Sequence, residues 1–98
     1  MNKLTQSELK IELKRLSRWS ILNDNLFISY KLDSFMQVMS FANLVSDKSE
    51  QMNHHPKFVI EYNNISFELF THDISGISSL DIELANFIDE TYNELFST

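Results

Sequence analysis

The 98-residue sequence predicts an α+β fold: a four-stranded antiparallel sheet with three helices packed on one face, in the order α-β-β-α-β-β-α. Three observations predict it. Apolar residues recur at helical spacing in three separate stretches. Between those stretches lie two pairs of strand-like runs, each pair joined by a connector rich in Asn and Asp. The connectors are too short for a crossover helix, so each pair is a hairpin and the sheet is antiparallel. A chain of this length holds one core, and residues 1–98 are expected to form a single domain.

Taken in order, Thr5 followed by Glu8 has the form of a capping box, and Leu9, Leu13 and Leu16 follow at helical spacing, predicting a first helix from Gln6 to about Ser17. Trp19 opens a run to Leu22; Asn23, Asp24 and Asn25 separate it from a second run, Leu26 to Lys31. Asp33 is the expected N-cap of a second helix from Ser34 to about Gln51, with Phe35, Val38, Met39, Ala42 and Val45 on one face. Pro56 cannot continue that helix and pushes His55 toward extended geometry. Lys57 to Tyr62 alternates, with Phe58, Ile60 and Tyr62 on one face, and the alternation resumes after Asn63 and Asn64 with Ile65, Phe67 and Leu69. Those two asparagines are the expected hairpin turn. Ser78 and Asp81 repeat the capping-box form ahead of a stripe of Leu80, Leu84, Phe87, Ile88, Tyr92 and Leu95, a third helix reaching nearly to the C-terminus.

Fourteen acidic against eight basic residues give a net charge of -6. The only basic cluster, Lys10, Lys14, Arg15 and Arg18, reads as a solvated helix face, which weighs against nucleic-acid binding. The absence of cysteine excludes disulfides, thiolate nucleophiles and zinc-thiolate sites. Met1 to Lys10 lacks the apolar core of a signal peptide and no apolar run is long enough to span a bilayer, so a soluble, cytoplasmic protein is expected.

All three histidines, the only proline and the only glycine (Gly76) lie between Glu50 and Asp81. A turn at Asn63 and Asn64 sets Tyr62 opposite Ile65, Ile60 opposite Phe67, Phe58 opposite Leu69 and, further out, His55 opposite His72. Facing residues have Cβ atoms roughly 4.5 to 5.5 Å apart, so this register gathers His54, His55 and His72 at the open end of the hairpin. Pro56 cannot donate a ladder bond, which leaves the histidines in a cleft rather than in the sheet. Adjacent extended residues point to opposite sides of the backbone and chelate one ion poorly, so no metal is expected. Proton transfer is the chemistry that fits: imidazole titrates near pH 6.5, and one positioned acid or base contributes about a hundred- to ten-thousand-fold in rate. Glu50 and Asp81 flank the group, Asp81 also accounting for itself as a helix cap.

The spacing Glu50, three residues, His54-His55-Pro56, five residues, Tyr62, nine residues, His72, eight residues, Asp81 resembles the signature of the pterin-4a-carbinolamine dehydratases. The likeness extends to Thr71, Gly76 and Ser78, to Asp81–Ile82, Ala85 and Phe87–Ile88, and to Trp19. It implies a hydro-lyase, a 4a-hydroxytetrahydrobiopterin dehydratase, in which a 4a-hydroxytetrahydropterin loses water to give the quinonoid dihydropterin. That reaction protonates the departing hydroxyl and removes the N5 proton, with no cofactor. By the same resemblance His54 and His72 are the acid and base, His55 binds the pterin and supports the site, Glu50 and Asp81 either orient an imidazole or hold the pterin ring, and Trp19 is counted with them as substrate-binding. The resemblance further implies a homodimer or homotetramer with sheets joined across subunits, and a functional link to an aromatic amino acid hydroxylase. The alternative is a non-catalytic dimerisation or coactivator module on the same fold, resting on helix faces.

Overall fold

Two capping boxes fix where the first and last helices begin in the computed structural model, which describes residues 2–97. In the first, Thr5 Oγ1 accepts from the Glu8 amide at 3.1 Å and the Glu8 carboxylate accepts from the Thr5 amide at 2.8 Å, opening α1 (Gln6–Arg15). The chain continues through β1 (Ser20–Leu22), β2 (Asn25–Lys31), α2 (Phe35–Met52), β3 (Lys57–Glu61), β4 (Asn64–Leu69), a 3₁₀ turn (His72–Ile74) and α3 (Ser79–Leu95). The four strands form one antiparallel sheet in the order β1-β2-β4-β3. The three helices, the antiparallel sheet and the element order are those the sequence predicts.

The alternation of apolar residues decides which face is covered. Leu26, Ile28 and Tyr30 of β2 and Ile65, Phe67 and Leu69 of β4 are all buried, and join Val38, Phe41 and Val45 of α2 with Leu84, Ala85 and Ile88 of α3 in one core. Phe41 meets Phe67 edge-on at 5.4 Å, and Phe58 meets Phe67 at 5.1 Å, geometries that suit the aromatic quadrupole. Truncating either fully buried phenylalanine to alanine should cost about 3–5 kcal/mol.

Three local expectations are corrected. Ser34, not Asp33, caps α2: its Oγ accepts from the Gln37 amide at 3.1 Å, while the Asp33 amide donates to Gln37 Oε1. Asn23 and Asp24, at φ 51 and 67, make the first turn by themselves, which frees Asn25 to pair with Leu22 in the sheet. The second turn is Tyr62–Asn63 rather than Asn63–Asn64, because Ile60 pairs with Ile65, Phe58 with Phe67 and Lys57 with Glu68. This register lets Lys57 reach Glu68 at 3.5 Å and sets Phe58 edge-on to Phe67. Those cross-strand pairs outweigh the turn preference of Asn-Asn and force Tyr62 to a left-handed φ of 52. His55 therefore does not face His72; carried outward, the observed register sets His54 against Thr71.

Candidate active site

The site begins with how α2 stops. Asn53 takes the left-handed conformation, φ 50 and ψ 46, which Asn tolerates better than most residues, and the His54 amide donates back to the Ser49 carbonyl at 3.0 Å. This reversal sends the next two side chains apart. His54 is buried while His55 stays exposed.

Each of the pair finds a different carboxylate. His54 Nε2 lies 2.5 Å from Asp81 Oδ1, and His55 Nε2 lies 2.5 Å from Glu50 Oε2. Asp81 is wholly buried, and its other oxygen accepts from the Thr71 hydroxyl at 2.7 Å and from the Ser78 amide at 2.9 Å. A buried carboxylate is costly unless its oxygens are satisfied, and here three donors meet it. The Ser78 contact is also half of the α3 capping box, so Asp81 is both cap and histidine partner. A carboxylate can only accept, so Nε2 of His54 carries a proton and Nδ1 is the nitrogen left free in the neutral ring.

His72 opens the 3₁₀ turn, exposed, with its ring edge-on to Phe70 at 5.2 Å. Thr71 and Gly76 close this loop with amide-to-carbonyl bonds of 2.8 and 3.3 Å. A cleft of about 340 Å³ results, lined by His54, His55, His72, Phe70, Thr71 and Leu80 among others. That volume lies within the range of small-molecule sites, roughly 300–1,000 Å³. A larger groove of about 450 Å³ runs between α1 and the 75–77 segment, lined by Leu9, Leu13 and Ile21, and shares Phe70 with the cleft. It contains no histidine, whereas all three line the smaller cavity.

The three histidines therefore line one cleft, with Asp81 behind His54 and Glu50 beside His55. Trp19 is not brought to them. Its buried indole donates to Asp89 Oδ1 at 3.1 Å, the same oxygen that accepts from the Tyr30 hydroxyl at 2.5 Å. Burial and that bond push the Tyr30 phenol well above the usual tyrosine range. Among the described residues, no three His, Asp or Glu side chains are grouped so as to hold a metal ion. Sequence reasoning passed over Thr71 as a site residue and took Ser78 only as a cap. Their signal was the two-residue displacement of the β3–β4 register, which, carried outward, sets Thr71 across from His54 where the expected register sets His72 across from His55.

Fold and cleft together define a small α+β protein with a histidine-lined pocket of small-molecule size. The family model described as pterin 4 alpha carbinolamine dehydratase matches residues 2–91. A protein of Sulfurisphaera tokodaii is 39% identical over 90 residues, covering 92% of this chain and 97% of its own. One of Burkholderia multivorans is 40% identical over 91 residues, covering 91% and 89%. Both are named "Putative pterin-4-alpha-carbinolamine dehydratase". The crystal structure of a transcriptional coactivator/pterin dehydratase from Brucella melitensis superposes with a TM-score of 0.88 at 28% identity, covering 91% of this chain and 97% of the other. The chain belongs to the pterin-4a-carbinolamine dehydratase family.

Proposed function

We propose that this protein dehydrates a 4a-hydroxytetrahydropterin to the quinonoid dihydropterin and water. The observation that carries the reading is the buried His54–Asp81 pair opening on the same cleft as His72. In this reading His54, its Nε2 proton held by Asp81, uses Nδ1 to take the proton from N5. Asp81 stabilises the imidazolium that forms, as a carboxylate behind a general base does. His72, exposed and on a separate loop, delivers a proton to the 4a-hydroxyl as it leaves as water. The net change is loss of one water, with the N5 proton taken up by His54 and a proton given up by His72. His55, held by Glu50, lines the mouth of the cleft and supports binding.

The substrate in this reading is the product type of aromatic amino acid hydroxylation, and a cytoplasmic location is part of the proposal. No helix among the described residues is long and apolar enough to cross a membrane. The sheet leaves β3 as an edge strand, and a homodimer joined there is part of the proposal. The coactivator role in the Brucella description belongs to that protein; for this chain the histidine cleft favours catalysis.

The test is a dehydratase assay with chemically generated 4a-hydroxytetrahydropterin. His54→Ala and His72→Ala should each lower turnover by about a hundred-fold or more while the fold is kept. Near wild-type turnover in both variants would overturn the reading.

A further inference from the structure

The contacts behind His54 form a chain whose direction is forced. Asp81 cannot donate, so the Thr71 hydroxyl spends its only proton on Oδ2, 2.7 Å away. Thr71 Oγ1 also lies 2.7 Å from Ser78 Oγ, and with its own proton committed it can only accept there, so Ser78 donates. Ser78 Oγ in turn accepts from the Leu80 amide at 3.2 Å, in the first turn of α3. The order is therefore Leu80 N–H to Ser78, Ser78 O–H to Thr71, Thr71 O–H to Asp81, with the His54 Nε2–H arriving from the other side. Thr71, Ser78 and Asp81 are all buried, and among the described residues no buried side-chain nitrogen or oxygen lacks a partner.

We infer that Thr71 and Ser78 are positioning residues: their hydroxyl chain, anchored on a helix amide, holds the Asp81 carboxylate by Oδ2 so that Oδ1 stays turned to His54 Nε2, which keeps the ring in the Nε2–H form. Thr71 does a second thing in the same place. Its two backbone bonds to Gly76 close the loop that carries His72. One residue thus sets the proton position on His54 and the location of His72. The catalytic part of this inference rests on the dehydratase reading above; the tautomer part does not.

The experiment is nitrogen-15 NMR of the imidazoles, above the pH at which they titrate, on the wild type, Thr71→Val and Thr71→Ser, each checked for folding by circular dichroism. The wild type should show neutral His54 with its proton on Nε2. Thr71→Val should populate the Nδ1–H form and lower kcat about tenfold with KM within about twofold, and Thr71→Ser should restore both. A wild-type His54 protonated on Nδ1 overturns the inference, whether or not the valine variant folds. So does a folded Thr71→Val that keeps the Nε2–H form, even if it is slower, since its effect would then be structural alone. If the wild type has no dehydratase activity the proposed function fails, while the tautomer measurement still decides this inference.

Discussion

Two neighbouring residues, His54 and His55, carry the same ring and the same kind of partner at the same 2.5 Å, and differ only in burial. That difference decides how much each carboxylate matters. Asp81→Asn keeps an oxygen for Thr71 and the Ser78 amide but turns an NH₂ toward His54, which must then accept on Nε2 and carry its proton on Nδ1. The expected result is a folded protein with kcat down by a hundred-fold or more, since a base in the wrong tautomer is nearly idle. Glu50→Gln perturbs an exposed pair, worth little against solvent, and kcat/KM should stay within about threefold. Steady-state kinetics on both variants checks the contrast. Tyr30 gives a pH signature at this scale. Burial first, then its bond to Asp89, raises the phenol above its ordinary value of 10.0. A raised folded value means the unfolded chain ionises first. The contribution of Tyr30 to stability is therefore complete below pH 10 and is lost as the pH rises beyond it. Urea midpoints measured between pH 8 and about pH 11 should fall steeply in the wild type and less steeply in Tyr30→Phe.

At the level of elements, the helices were legible because their signals are local. Thr5 with Glu8 and Ser78 with Asp81 mark two N-termini, and both boxes form. The second hairpin was legible as a hairpin but not in its register, because two rules compete there and only one acts within a few residues. Asn63–Asn64 is the better turn by composition, yet Phe58 against Phe67 and Lys57 against Glu68 are the better cross-strand pairs, and these depend on the packed sheet. The site shared that fate. Its histidines were brought together by a register two residues off, which still returns His72 to the open end of the hairpin, whereas Thr71 became visible only once the register had moved by two. The cost of the winning register sits in Tyr62, left-handed at φ 52 and largely exposed. Tyr62→Asn should relieve that strain at little loss of burial and stabilise the protein by about 0.5–1 kcal/mol. A raised urea midpoint at unchanged m-value, with dehydratase activity unaltered, is the expected reading; an unchanged or lowered midpoint would mean the turn carries no strain.

Across the whole molecule, the sheet ends in two edge strands, the three-residue β1 and the longer β3, and β3 is the one built to be paired. An edge strand presents unpaired backbone groups, and proteins either blunt it or pair it. Lys57–Glu61 is self-complementary about its middle residue. A second copy laid antiparallel across a two-fold axis at Val59 sets Lys57 against Glu61, Phe58 against Ile60 and Val59 against its own equivalent. Val59 is 46% exposed in the single chain, on the sheet face away from the core, and would be covered by that pairing. An isologous contact of this kind closes as a dimer and leaves no further edge at that side. Val59→Asp places two carboxylates directly opposite, roughly 4.5–5.5 Å apart at Cβ, where like charges repel strongly. Its exposed position should let each chain keep its fold. Sedimentation velocity at about 10–50 μM, a range in which a micromolar or tighter association is populated, should find the wild type dimeric and Val59→Asp monomeric, with matching circular dichroism. A wild type that sediments as a monomer, or a Val59→Asp variant that remains a dimer, would place the subunit contact away from β3 or remove it.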